Sequence, residues 1–185
     1  MKKIYPILLI LITLLVFTSG KKYALDKPTA SIKDSIPVFL EGYKYENVDG
    51  TKFSFNQVKG KVLLLDFWAT WCGPCIKGHS NIKALEETIN NPDFQIITVS
   101  IDKNKSQWKK FLKAKKWNGI HIILDGKDVN NPLNKMGTKK ILDKGKPIYL
   151  TSVPEYYLVD KELSIKRIND VKAKRTVSLI RKKIN

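Results

Sequence analysis

Two cysteines, separated by two residues, are the side chains of this sequence best suited to chemistry. They lie in the segment WCGPC, residues 71–75, and the 185-residue chain has no other cysteine. A nearly unbroken apolar run, residues 61–68, precedes them, and apolar residues with helical spacing follow. The pattern predicts that the pair stands between a strand buried on both faces and the start of a helix.

A thiol at that junction is expected to be reactive. Cys72 is predicted at the helix N-terminus, where free backbone N–H groups and the helix dipole favour an anion. A free thiol has a pKa near 8.5, and such a setting lowers it. We predict that Cys72 attacks a partner disulfide and that Cys75, one turn on and more buried, resolves the mixed disulfide. Pro74 suits an early helical position and stiffens the turn.

The same pair has other interpretations. It could form a structural disulfide or half of a zinc site, but zinc needs two more ligands. The sequence has no second C-x-x-C, so His79 and His121 are the candidates. A copper or zinc carrier is therefore an alternative function. A pure interaction module is another, and it leaves the cysteine pair without a role.

Three further kinds of side chain near the pair deserve a prediction. Asp66 lies in the apolar run, where burial is expected to raise its pKa and suit it to proton transfer near Cys75, unless it reaches solvent at the strand end. His79 either tunes the site or caps a packed helix face, and His121 is expected to be structural. Trp68 and Trp71 are expected to flank the site as packing and docking surface.

The elements that must position these residues follow from turn signals and periodicity. Asp49-Gly50 predicts a hairpin between residues 38–40 and 53–55. Strands are predicted at 94–101, 120–124, 155–159 and 163–168, and helices at 106–116, 129–136 and 172–183, with 137–146 as a loop. The order indicates an α/β fold with central parallel strands and a terminal antiparallel pair.

The N-terminal segment and the net charge limit the functions that this chain can have. Residues 1–20 have a basic start, an apolar run and a small polar end, which predicts a secretory signal or an uncleaved N-terminal anchor. Residues 21–35 are predicted to be a polar linker, and 36–185 a single domain. The chain has 34 basic residues, almost all Lys, and 17 acidic ones, so its net charge is +17, and the lysines are spread along the sequence. That pattern favours solvated faces and at most weak attraction to anionic membrane surfaces, and no nucleic-acid partner.

Residues 65–75, LDFWATWCGPC, resemble the active-site segment of the thioredoxin superfamily. The signal and the N-terminal hairpin resemble its extracytoplasmic TlpA/ResA-like branch, and the likeness covers about residues 36–185. The resemblance implies a thioredoxin-like fold: a central mixed sheet flanked by helices, with an N-terminal β-hairpin extension. It also implies a thiol–disulfide oxidoreductase, more specifically a reductase of protein disulfides that regenerates apocytochrome thiols in cytochrome c maturation or other exported dithiols.

The resemblance assigns roles at single positions. Val153-Pro154 matches the cis-proline that faces the dithiol and, with Trp71, Gly73 and Pro74, helps to receive the substrate chain. Asp66 matches the acid that accepts the proton of the buried cysteine. Two positions depart from the pattern: Glu155 replaces the usual threonine after the proline, and Gly78 stands where TlpA-like members often carry an acid.

The resemblance also implies what accompanies the protein. Its partners would be protein thiol or disulfide substrates and a membrane electron donor, and it would act as a monomer without an external cofactor or metal. A thiol peroxidase of the peroxiredoxin branch is the alternative within the same fold. That branch needs a Pro and a Thr at fixed positions before its reactive cysteine, and residues 66–71 contain no Pro.

Overall fold

A seven-stranded mixed sheet forms the centre of the protein. Its strands lie in the order β2 (Lys52–Phe53), β1 (Tyr45–Asn47), β5 (Ile120–Ile123), β4 (Phe94–Ser100), β3 (Val62–Trp68), β8 (Glu155–Val159) and β9 (Ile165–Ile168). The computed structural model describes residues 40, 42–117, 119–128, 131–136, 138–143, 146–161 and 164–185. The predicted signal, 1–20, and linker, 21–35, lie outside the described residues. Strands β3, β4 and β5 run parallel, and every other neighbouring pair is antiparallel.

The bounds of the elements are close to those that the sequence pattern predicts. The strands are β1 (Tyr45–Asn47), β2 (Lys52–Phe53), β3 (Val62–Trp68), β4 (Phe94–Ser100), β5 (Ile120–Ile123), β6 (Thr138–Asp143), β7 (Lys146–Thr151), β8 (Glu155–Val159) and β9 (Ile165–Ile168). The helices are α1 (Gly73–Ile89), α2 (Lys105–Lys115), α3 (Pro132–Met136) and α4 (Lys174–Ile184), and a 3₁₀ helix spans Phe55–Val58.

Strand β3 is central because both of its faces are covered. All seven of its residues are buried. On one face Val62 and Leu64 pack with residues of α1 and α4. On the other face Leu63, Leu65 and Phe67 pack with residues of the N-terminal hairpin, the 3₁₀ helix and α3. A strand covered on both sides is continuously apolar, which explains the unbroken run in the sequence.

Helix α1 begins and ends where its sequence dictates. Pro74 occupies the first turn, where a missing N–H costs no hydrogen bond, and Asn90 ends the helix in the left-handed conformation at φ 41°. Its buried residues Ile82, Leu85 and Ile89 hold it against the sheet. The helix is thereby fixed with its N-terminus at the carboxyl end of β3.

The structure corrects three of the predicted segments. The hairpin around Asp49-Gly50 forms, but its first strand is Tyr45–Asn47, and Leu40 is not in a strand. Residues 138–143 are not a loop: β6 pairs with β7 as an antiparallel two-stranded sheet. In α4, where helical spacing predicts Ala173, Val177 and Ile180 as the inward-facing residues, Ile180 is buried, but Ala173 is the N-cap and Val177 is only partly buried. The other buried residues of this helix are Thr176 and Ile184.

Candidate active site

The cysteine pair closes as a disulfide at the N-terminus of α1. Cys72 is the N-cap residue, and its Cα lies 5.3 Å from that of Cys75. The Cys75 backbone N–H donates a hydrogen bond to the Cys72 sulfur, with 3.2 Å between the two atoms. The sulfur therefore occupies the place of an N-cap oxygen, and the N-terminal end of the helix dipole points at it.

One prediction about the pair is wrong in detail. Cys75 is not the more buried cysteine, since Cys72 is 5% exposed and Cys75 is 6% exposed. Both pack in a cluster with Trp68, Trp108 and residues of α2. Their difference lies in the helix: Cys72 caps it and Cys75 is inside its first turn. Attack geometry, rather than exposure, must separate their roles.

Asp66 is a buried carboxyl on the face of the sheet that supports α1. Side chains alternate along β3, so Asp66 lies on the same face as Leu64, which packs with α1, and Trp68, which packs with both cysteines. Burial raises the pKa of Asp66 to about 7, from an ordinary value of 3.8. The carboxyl can therefore hold or release a proton near neutral pH.

A second buried carboxylate fixes the loop that leads to Cys72. Asp102 accepts hydrogen bonds from the backbone N–H of Thr70 at 3.0 Å and from the Thr70 hydroxyl at 2.8 Å. The Ser100 hydroxyl donates to the same carboxylate at 2.8 Å. Sequence reasoning missed Asp102. The signal that could have found it is a carboxylate two residues after the end of β4, at the sheet edge where the parallel strands end.

The Val153-Pro154 peptide bond is cis, as the resemblance implies. Val153 packs against the buried cluster that contains both cysteines. The adjoining Glu155 is buried and does not point freely at a substrate. It accepts hydrogen bonds from Ser152 (2.6 Å), Tyr157 (2.6 Å) and Arg167 (2.9 Å).

The aromatic residues divide into a buried group and one exposed ring. Trp71 is 65% exposed, beside the disulfide, whereas Trp68 is buried. Trp68 contacts Trp117, with ring centroids 4.9 Å apart, and His79 stacks on Trp117 at 3.5 Å. His79 thus packs the face of α1, and burial lowers its pKa to about 4. Of the two interpretations of His79, packing describes what the structure shows.

In the part of the chain that the structure describes, no helix is long and apolar enough to cross a membrane. The same residues contain no group of three or more His, Cys, Asp or Glu that could hold a metal ion.

Comparison with known proteins agrees with this geometry. The Redoxin family profile matches residues 31–184. Curated relatives include the thiol-disulfide oxidoreductase ResA of Bacillus cereus (31% identical over 58% of this chain and 60% of the relative) and that of Oceanobacillus iheyensis (31%, over 52% and 50%). The chain thus spans between half and three fifths of these relatives' length. ResA of Geobacillus thermodenitrificans is 24% identical over 88% of this chain and 82% of the relative.

Solved structures show the same fold. The thioredoxin domain of a thiol-disulfide oxidoreductase from Bacteroides vulgatus superposes with a TM-score of 0.60 at 24% identity, covering 77% of this chain and 93% of that one. A thioredoxin family thiol:disulfide interchange protein from Chlorobium tepidum also gives 0.60, at 18% identity, over 82% and 99%. The chain therefore belongs to the Redoxin family and is a TlpA/ResA-like member of the thioredoxin superfamily, with the fold and the cysteine pair of its disulfide oxidoreductases.

Proposed function

We propose that this chain is an extracytoplasmic thiol–disulfide oxidoreductase that reduces disulfides of exported proteins. The observation that carries the proposal is the position of Cys72: it caps α1 and is bonded to the cysteine one turn further on. This geometry stabilises a thiolate at Cys72 once the disulfide is reduced, and it keeps Cys75 within reach for the second step.

The reaction is two thiol–disulfide exchanges. The Cys72 thiolate attacks one sulfur of the substrate disulfide, forms a mixed disulfide and releases the other substrate sulfur as a thiolate. Cys75 then loses its proton and attacks the Cys72 sulfur, which releases the second substrate thiol and closes the Cys72–Cys75 disulfide. Two electrons pass to the substrate, and a dithiol donor must return them.

The cycle also needs a proton acceptor and a surface that binds the substrate, and residues near the cysteines are proposed for both. Asp66, with a pKa near 7, is proposed as the acceptor of the Cys75 proton. Trp71, Gly73 and Pro74 on one side, and Val153 and Pro154 on the other, are proposed to bind the substrate chain. The exposed Trp71 ring and the packing of Val153 against the cluster that contains the cysteines support that arrangement.

The direction, the setting and the partners rest on the family. The Gly-Pro spacer and the buried acid resemble the reducing members, which regenerate the thiols of apocytochromes in cytochrome c maturation or other exported dithiols. The ResA relatives are named thiol-disulfide oxidoreductases. The N-terminal pattern of residues 1–20 supports export, and a membrane protein is the proposed electron donor. Apart from the Cys72–Cys75 pair itself, we propose no cofactor or metal, and we propose that the protein acts as a monomer.

Insulin reduction by the purified full chain, with dithiothreitol as donor, tests the activity. We expect catalysed precipitation of the insulin B chain by the wild type and none by Cys72→Ser. Peroxide consumption measured in parallel separates this function from a thiol peroxidase. A Cys72→Ser variant with undiminished insulin reduction would contradict the assignment. Thiol trapping in cells then tests the direction, because a reductase keeps the pair mostly reduced.

A further inference from the structure

An open cavity lies between α1, the C-terminal end of α2 and strand β4, with a volume of about 430 Å³. Ile82 of α1 and Ile96 of β4 line it with apolar surface, and both side chains are buried. Its volume falls within the range of about 300–1,000 Å³ that is usual for small-molecule sites. The proposed thiol exchange and the proposed substrate surface use none of the residues that line this cavity.

The exposed side of the cavity lining is cationic. It includes three lysines and one acid, all of them exposed: Lys83, Lys115, Lys116 and Glu86. Three positive charges against one negative charge leave this described lining with a net charge of +2. Lys83 also lies 3.8 Å from Glu87, but the two side chains are 72% and 68% exposed, so this ion pair is weak. An anion that enters from the solvent therefore meets an excess of positive charge.

One wall of the cavity is a stacked pair of rings. His79 and Trp117 both line it, and their ring centroids lie 3.5 Å apart. Burial is the main cause that lowers the pKa of His79 to about 4, and repulsion by His121 and Lys83 adds to it. The His79 ring is therefore uncharged near neutral pH. The repulsion reflects a positive potential at this wall, and such a potential attracts anions.

The segment between α2 and β5 leaves the cavity open. Gly119 lines the cavity with φ +115°, a conformation that L side chains rarely adopt. Among the described residues, no atom lies within 4 Å of the position that a Cβ would take there. Glycine at this position therefore contributes no side chain that could cover the cavity.

An apolar surface beside a cationic rim suits one class of ligand. We propose that this cavity binds a small organic anion, which joins an apolar body to a group such as a carboxylate. The apolar body packs on Ile82 and Ile96, and the anionic group lies among the three lysines. An inorganic anion would leave the apolar surface unused, and a neutral apolar molecule would leave the lysines unused. The lining shares no residue with the substrate surface proposed at Trp71 and Pro154, so the site goes beyond disulfide exchange.

Two fluorescent probes of similar shape test the proposal on the oxidised full chain. 8-Anilinonaphthalene-1-sulfonate carries an apolar body and an anionic group, and N-phenyl-1-naphthylamine is its neutral counterpart. We expect saturable binding of the sulfonate, with a Kd about tenfold below that of the neutral probe. In ¹⁵N-labelled protein, the sulfonate should also shift the indole resonance of Trp117, which lines the cavity.

Two double variants and a single one locate the site. Lys83→Gln with Lys115→Gln removes two lining lysines, and we expect it to raise the Kd of the sulfonate about tenfold without changing that of the neutral probe. Lys110→Gln with Lys113→Gln removes two exposed lysines of α2 outside the lining and should change neither Kd. Ser80→Phe adds a ring to the lining and should weaken the binding of both probes.

Three results would overturn the proposal. Equal affinities for the two probes would show that the lysines do not select an anion. Equal weakening of the sulfonate by both double variants would show attraction by the general surface charge. Sulfonate binding that Ser80→Phe leaves unchanged would place the bound probe elsewhere. Thermal unfolding without probe checks that each variant folds, and insulin reduction bears only on the proposed function.

Discussion

The backbone N–H of Cys75 donates its hydrogen bond to the sulfur of Cys72, its own disulfide partner, at 3.2 Å. The first turn of α1 is therefore capped by the atom proposed to react. When the disulfide is reduced, the same N–H remains aimed at Cys72 and favours the thiolate there. Cys75, inside the helix turn, has no equivalent donor aimed at it among the contacts that the structure describes.

This asymmetry predicts different outcomes for the two serine variants. Cys72→Ser should lose insulin reduction entirely, because serine is not a thiolate nucleophile. In Cys75→Ser, Cys72 should still attack the substrate disulfide, but no second thiol can resolve the mixed disulfide. This variant should therefore accumulate a mixed disulfide with an exported protein. Non-reducing gels and mass spectrometry of trapped complexes check this. A trapped complex in Cys72→Ser but not in Cys75→Ser would reverse the roles.

Asp66 predicts a dependence of stability on pH. In the unfolded chain Asp66 releases its proton near its ordinary pKa of 3.8, but in the folded chain it keeps the proton up to about 7. The folded state binds more protons between these values, so stability is full below about pH 4 and falls as pH rises to about 7. Asp66→Asn removes that loss.

Urea unfolding of the oxidised proteins at several pH values measures the effect. We expect Asp66→Asn to be more stable than the wild type at about pH 8 by on the order of 3–4 kcal/mol, and nearly equal at about pH 4. Asp93→Asn, an exposed position, controls for loss of a carboxylate. A difference that is constant with pH would show that Asp66 titrates normally.

Substituting Glu155 should lower the unfolding free energy much more than substituting its partner Arg167. Glu155→Ala removes a buried carboxylate that accepts three hydrogen bonds, and we expect a loss of about 2–3 kcal/mol in unfolding free energy. Arg167→Ala removes a side chain that is 46% exposed, so its loss should stay below about 1 kcal/mol. Equal losses in thermal or urea unfolding would contradict this account of the Glu155 cluster.

Asp102 predicts a link between stability and turnover. Asp102→Asn turns an amide NH₂ toward donors of Thr70, so we expect a loss of about 2 kcal/mol and slower insulin reduction as the loop before Cys72 loosens. Ser100→Ala removes one hydrogen bond to the same carboxylate and the acceptor of the Asp102 backbone N–H, and it should cost about 1–2 kcal/mol. Undiminished turnover in Asp102→Asn would separate this carboxylate from the active-site loop.

Trp71 predicts an effect on recognition without one on folding. Because the ring is 65% exposed, Trp71→Ala should change the unfolding free energy by less than about 0.5 kcal/mol. It should raise KM for a protein disulfide and leave the reduction of the small disulfide DTNB unchanged. Trp68→Ala is the buried counterpart, and we expect it to destabilise the fold by about 3 kcal/mol or more. A Trp71→Ala enzyme with an unaltered KM for insulin would remove this ring from the docking surface.

The local sequence pattern was sufficient to predict an element where its burial and its periodicity agree. The apolar run of β3 and the helix after Cys72 were predicted within a residue or two, because one is covered on both faces and the other has clear end signals. The prediction of a loop at 137–146 failed because lysines mask the β-prone residues of β6 and β7, whose pairing with each other is what makes them strands.

The site was only partly accessible to sequence reasoning. Cys72, Cys75 and Asp66 stand out by type and by setting. Asp102 does not, because what gives it its place is the parallel register of β3 with β4, a property of two segments more than thirty residues apart. The contact between Thr70 and Asp102 follows from that register.

The N-terminal hairpin also determines what the sheet presents to other molecules. Strand β1 pairs along β5, and Glu46 of β1 binds Lys105 and Lys109 of α2, so the hairpin is held in place. Within the described sheet, the outermost strands are then β2, only two residues long, and β9, whose two middle residues are an exposed Lys and Arg. Short, cationic outer strands are poor templates for strand addition. The architecture that frames the disulfide thereby also protects the sheet from edge-to-edge aggregation.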